Sequence, residues 1–243
     1  MARFLLFLTL ILTTLTNDCW AVTFYNYHLV PPFLTAERTG IIVDLTAYLK
    51  ARGITGLNLE SIPRARLDII LNKSDFSGAI LLVNPAWFED TSESKFLWSK
   101  VIFHDADFIV SPANRKIEYK KPETLTGLTV GFVRNYKYPM FDSLIQSGQI
   151  KRFDGNNEES NLKMVAEGRL DAVTSAKSAA QFFISQLKIK DRIYISKAPI
   201  NQYERRILLS RDQAKLKEQL DAIISKMPLD PEWQVILKKY ELE

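Results

Sequence analysis

Two short apolar runs, Gly78 to Val83 without interruption and Leu128 to Val133 with Thr129 its one polar residue, set the tightest limit on what this chain can fold into. A strand with one face in water alternates apolar and polar residues. A short run that is apolar throughout suits a strand buried on both faces, as in a parallel sheet covered by helices. The segments around the first run supply partners for it. Val22 to Tyr27 and Leu57 to Ile62 read as strands, Gly40 opens a helix with Ile42, Leu45 and Leu49 on one face until Gly53, and Pro63 starts another with Leu67, Ile70 and Leu71 inward. The pattern is α/β.

The second run has its own set. A polar stretch from Ser111 to Glu123 precedes it. Pro139 then begins a short helix through Phe141, Leu144 and Ile145 that stops at Gly148. Asn156 to Glu159 has capping-box spacing ahead of Leu162, Val165 and Ala166, and Leu170 to Thr174 returns as a strand. From Ile193 the chain reads as a strand, a connection through Pro199, a strand over Arg206 to Leu209, and two helices. The first buries Leu216, Leu220, Ile223 and Ile224. The second opens at Asp230-Pro231 and carries Trp233, Ile236, Leu237 and Tyr240 on one face, and both are expected to pack on the first unit.

Met1-Ala2-Arg3 places one positive charge before an apolar run from Phe4 to Leu15, too short for a permanent span, and Cys19-Trp20-Ala21 offers a cleavage site. A signal peptide over residues 1–21 with Val22 as mature N-terminus is expected, which implies export to the periplasm. Cys19 is the chain's single cysteine, so the mature part would hold neither disulfide nor thiolate metal site. Aspartate before it argues against lipoprotein processing. About 220 residues remain, enough for one large unit or two small ones. A net charge of +4 with 25% charged residues of both signs fits a solvated surface, with no basic stripe for nucleic acid.

Four segments in order then carry a resemblance: Tyr27-His28-Leu29-Val30-Pro31-Pro32-Phe33, Gly40-Ile41-Ile42-Val43-Asp44-Leu45, Leu125-Thr126-Gly127-Leu128-Thr129-Val130-Gly131, and Ala166-Glu167-Gly168-Arg169-Leu170-Asp171-Ala172. With Lys239-Tyr240 in the last helix, the set resembles family 3 extracellular solute-binding proteins of ABC transporters. The resemblance implies a two-lobed type II periplasmic binding protein clamshell with two hinge crossings, near Phe108 to Val110 and Ile200 to Arg206. One lobe would comprise 22–108 and 204–243, the other 109–203. It also implies a small polar solute held between them, a membrane permease or sensor as partner, a monomer, and neither cofactor, metal nor catalysis.

Loops after parallel strands meet at such a cleft, where helix starts present free backbone N–H groups. The loop after the second apolar run supplies Arg134, Asn135, Tyr136 and Tyr138, either as ligand contacts or as an ordinary solvated connection. The first lobe would contribute Tyr27, His28 and Phe33, then Arg64 or Arg66, then Asn84 and Trp87, giving aromatic walls with a few polar groups. Trp87 is equally readable as core, His28 as a solvated loop residue, and Arg66 as a partner of Asp68 or simply exposed.

Two departures bear on the solute. Amino-acid binders of the family have an arginine after the third strand to grip the carboxylate, and Glu89 to Ser94 holds none; their ammonium-holding aspartate corresponds to Ala176. A ligand-sensing or degenerate binding module is therefore one alternative, and a dehydratase-like enzyme on the same scaffold another. His104-Asp105-Ala106-Asp107 has weak spacing for a metal and falls in a strand or crossing.

Overall fold

The computed structural model describes residues 21–134 and 136–242, so the expected signal segment up to residue 20, with Cys19, and the expected contact Asn135 lie outside the described residues. In chain order the first lobe is built from β1 (Val22–Asn26), α1 (Ile41–Ala51), β2 (Leu57–Ser61), α2 (Arg64–Leu71), β3 (Ala79–Val83) and β4 (Leu97–Trp98). β5 (Phe103–Pro112) follows, and the second is built from β6 (Thr129–Val133), α3 (Pro139–Gln146), β7 (Lys151–Gly155), α4 (Glu158–Ala166), β8 (Ala172–Ala176), α5 (Lys177–Leu187) and β9 (Ile193–Ile195). β10 (Asn201–Leu209), α6 (Ala214–Ile224) and α7 (Pro231–Lys239) complete the chain.

Both apolar runs became strands with parallel neighbours, β3 pairing antiparallel with β10 on its other side. β1 pairs in parallel with β2 and β3, and β6 with β7 and β8. β3 is buried at every position because helices cover both faces: one core holds Leu81 with residues of α1, α6 and α7, another holds Ile80 and Val83 with Leu67 of α2. Around β6 the division repeats, with Val130 and Phe132 packed on Phe141 of α3, and Val173 of β8 packed on Leu162, Val165 and Phe183 of α4 and α5. The four cores fall into two pairs, one for each lobe.

The final helices pack on the first lobe, as their apolar faces require, α7 directly on α1. Arg52, just past the end of α1, and Tyr48 within it both reach Asp230 at the start of α7, at 2.6 and 2.9 Å, while Lys239 and Tyr240 bond Asp44 at 2.7 and 2.8 Å. The Lys-Tyr pair thus closes the first lobe onto its own first helix.

β5 and β10 join the halves. The strand order runs β2-β1-β3-β10-β5-β8-β6-β7 without a break. β10 pairs with β5 along Asn201 to Arg205 and with β3 and β4 from Arg206 onward, so it belongs to both sheets. Several strands differ by one residue from the sequence reading, and three further boundaries differ for a plain physical reason. β10 begins at Asn201 rather than Arg206, because its polar half is paired, not looped. The last parallel strand of the second lobe is Ala172–Ala176, two residues later than expected, since Arg169 to Asp171 make the turn out of α4. The helix cap is Asn157, which accepts from Ser160 N at 2.8 Å, instead of Asn156.

Candidate functional site: a charged floor on the crossing strands

In the antiparallel pair β5/β10, Tyr203 stands opposite Asp105, Asn201 opposite Asp107 and Arg205 opposite Phe103. Directly opposed residues share a face, and so do residues two apart on one strand. Asp105, Asp107, Tyr203 and Arg205 therefore converge on one face of the junction between the lobes. His104 points the other way and is exposed, so the sequence cluster His104-Asp105-Ala106-Asp107 does not form one donor set.

Arg205 is the centre of this floor, with 3% of its surface exposed. Its Nε and Nη2 donate to Asp105 Oδ2 at 3.2 and 2.8 Å, and Nη1 donates to the Leu82 carbonyl at 3.1 Å. Phe33, Trp87 and Tyr203 surround the guanidinium with ring centroids 4.7, 5.0 and 5.1 Å away. Burial opposes its charge, but the Tyr203 phenol and the Asp105 carboxylate outweigh that and hold it protonated. Asp105 in turn accepts from Ser178 N and Oγ, at 3.3 and 2.8 Å, at the start of α5. One ion pair thereby connects the first lobe, through Leu82 and Phe33, to the second, through Ser178.

Leu82 owes its role to a bulge. Arg206 faces Val83 but Leu208 faces Ile80, so β3 carries one extra residue there. Leu82 takes a φ of 55°, a left-handed conformation costly for a leucine, and its carbonyl turns toward Arg205. The His28 ring bonds the same oxygen through Nε2 at 3.1 Å and lies against Phe33 and Tyr27, 4.8 and 4.3 Å between centroids. Burial, then the charge of Arg205, lowers its pKa well below the usual histidine value, so the ring is neutral and donates. His28 is a packed support of the floor.

Beyond the Arg205 pair lie two further carboxyl groups. Asp107 accepts from the Tyr203 hydroxyl at 3.1 Å; burial and then Asp105 raise its pKa. Glu158, the first residue of α4, is pushed up to about 7 by burial and next by Asp107. It also accepts a hydrogen bond from the backbone of Ala176, the residue directly opposite Asp107 in the β5/β8 ladder. Ala176, where an ammonium-holding aspartate was looked for, contributes its N–H to a glutamate from the neighbouring helix.

The walls are aromatic. Tyr27 stacks with Arg64 at 5.1 Å; burial raises its phenol to about 12, partly offset by the Arg64 and Arg205 charges, with Tyr136 from the opposite lobe adding to the rise. Trp87 meets Tyr203 edge-on at 5.1 Å. Tyr138 packs on Phe132 at 4.7 Å and its hydroxyl accepts from Val133 N at 3.2 Å, while Tyr136 is 59% exposed at the rim.

The arrangement gathers Tyr27, His28, Phe33 and Trp87 around Arg205 and brings Tyr136 across from them. Other candidates are occupied elsewhere. Arg64 pairs with Asp68 at 2.7 Å and donates to the Trp87 carbonyl at 3.1 Å, taking the aspartate considered for Arg66, which is exposed. Asn84 caps the turn at Ala86 and donates to Glu204 O at 3.2 Å, so both ends of its amide serve structure. Arg134 is exposed and reaches the Asp154 carbonyl at 3.4 Å. Sequence reasoning missed Asp105, Asp107, Glu158, Ser178, Tyr203 and Arg205. The period-two spacing of the aspartates and of Tyr203 with Arg205 was the available signal.

No family model and no curated protein sequence matches the chain. Solved structures do. An ancestral arginine-binding protein bound to arginine superposes with a TM-score of 0.64 at 17% identity, covering 90% of this chain and 97% of that one. The GluR0 ligand-binding core from Nostoc punctiforme, in complex with L-glutamate, gives 0.67 at 14% identity, covering 92% and 100%. The chain has the two-lobed fold of type II periplasmic binding proteins. The periplasmic VFT2 domain of Bordetella pertussis BvgS, with a TM-score of 0.59 at 21% identity over 90% of this chain and 92% of that one, shares it.

Proposed function

We propose that this chain is a periplasmic solute-binding protein of the family 3 kind, exported through a cleaved signal peptide, that captures a small polar solute between its lobes for an ABC-type transporter. The lobes in this reading are 22–108 with 204–243, and 109–203. The observation that carries it is the floor of β5 and β10, where groups from both lobes converge on the Arg205–Asp105 pair between aromatic walls. Such a floor supplies orientation, the walls supply apolar contact, and a solute touching both sides stabilises the closed arrangement by its differential affinity. The fold neighbours bound to arginine and to glutamate support the same use of the cleft. In this reading the Arg205–Asp105 pair positions and does not catalyse.

A thermal-shift screen of amino acids, amines, small carboxylates and sugars tests it. At least one solute raises Tm, by RT ln(1 + [L]/Kd) in free energy, and small-angle scattering shows compaction with that solute. A screen flat at millimolar concentration overturns the solute-binding reading and leaves the degenerate module.

A further inference from the structure

The chemistry of the floor narrows the solute class. An α-amino acid presents a carboxylate, which needs an available cation. The four arginines near the cleft are already committed: Arg205 to Asp105 at 2.8 Å, Arg64 to Asp68 at 2.7 Å, Arg152 to Asp154 at 2.8 Å, and Arg134 outward to the Asp154 carbonyl. Asp107 and Glu158 are placed differently. Asp107 has a neutral hydroxyl on it, and Glu158 a neutral backbone N–H, contributed by the residue facing Asp107 across the ladder. Among the charges acting on Glu158, Asp107 pushes harder than Arg205 pulls. One ladder position further along the same face, Thr174 stands opposite Ile109, buried at 6% exposure, its hydroxyl beside the Tyr138 phenol but outside good hydrogen-bonding geometry with any group among the described residues. The Tyr136 phenol, coming over from the rim, also feels the Glu158 charge after the effect of burial.

We propose that the cleft selects a small aliphatic amine or guanidine without a carboxylate, its cationic head held between Asp107 and Glu158 and walled by Tyr136 and Tyr203. The inference rests on the cleft being a solute site. A cation there replaces the repulsion of two facing carboxylates by attraction to both, and aromatic faces add cation–π attraction. A carboxylate in the same place would meet like charge at close range in a shielded site. The recognition element is therefore a pair contributed by a crossing strand and a helix start, on the opposite side of the Arg205 pair from His28 and Leu82.

Isothermal titration calorimetry with putrescine, agmatine, arginine and glutamate tests this on the full mature chain. Agmatine differs from arginine by the carboxylate alone, so the pair isolates the claim. The expected result is agmatine or putrescine binding at least about tenfold tighter than arginine, with glutamate weakest, and a loss of about tenfold or more on Glu158→Gln. Asp107→Asn reports on the same pair; should it fail to fold, Glu158→Gln decides. Arginine or glutamate binding more tightly than agmatine, or amine binding unchanged in Glu158→Gln, overturns the inference while leaving the cleft a solute site. No heat from any of the four probes also overturns it, and the wider screen then decides separately whether the cleft binds a solute at all.

Discussion

The floor of the cleft and the loop from Arg134 to Tyr138 both offer polar groups at the junction of the lobes, yet they are built in opposite ways. On the floor every charged group is shielded and most are fixed by two or more partners; Asp105 alone accepts from Ala106, Ser178 and Arg205. In the loop Arg134 and Tyr136 are exposed, while Tyr138 is half-buried and anchored through its hydroxyl. Strands with paired backbones position side chains closely, whereas a loop leaves them adjustable. The difference teaches that the shielded charge of the junction sits on the crossing strands, while the loop forms its rim.

The contrast breaks most visibly at Arg205. Arg205→Ala leaves Asp105 buried and unpaired and should lower unfolding free energy by about 3–5 kcal/mol in chemical denaturation. A loss below about 1 kcal/mol would mean the floor is not a stability centre.

A middle-sized effect belongs to Glu158. Its pKa near 7 exceeds the ordinary 4.5, so the folded chain holds a proton that the unfolded chain releases between those values. Its penalty is absent below the lower value and complete once pH passes the upper one. Asp107 and Asp105 on β5 and the Tyr136 and Tyr138 phenols face it, and Arg205 on β10 is the opposing charge. Glu158→Gln should therefore be more stable than the parent by roughly 2–3 kcal/mol at pH 8, the gap closing toward pH 5. Comparing the two chains cancels His28, whose lowered pKa acts in the opposite sense. A pH-independent gap would show that Glu158 is not shielded by the floor.

The smallest effect is expected at the rim. Arg134→Ala should change unfolding free energy by no more than about 0.5 kcal/mol; a larger loss would make the loop as structural as the strands and erase the distinction.

Much of the architecture was legible because its signals are local. The runs at 78–83 and 128–133, the Pro139 start and the Asp230-Pro231 start with its Trp233 and Leu237 face each sit inside one element. The aromatic walls were legible too, since Tyr27, Phe33 and Trp87 lie on loops after strands. The charged floor was hidden by distance along the chain. Tyr203 is placed opposite Asp105 by a register linking residues 98 apart, and Glu158 reaches Ala176 across a helix and a strand. Nothing in Asn201 to Arg205 is apolar enough to mark a strand, which is why β10 was expected to begin at Arg206. The Leu82 bulge gave no sequence sign at all, because leucine is a poor choice for a left-handed backbone.

Because β10 runs unbroken from one sheet into the other, it and β5 would be the axle of any hinge motion between the two halves. Points on an axle travel least. The Asp107 and Tyr203 surface, lying on it, would keep its shape through such a motion, while Tyr27 and Tyr136, off the axle, would move further. Under the proposed function, an arriving molecule would land on a finished platform and be enclosed afterwards, so the axle would decide what is accepted and the moving edges how long it stays.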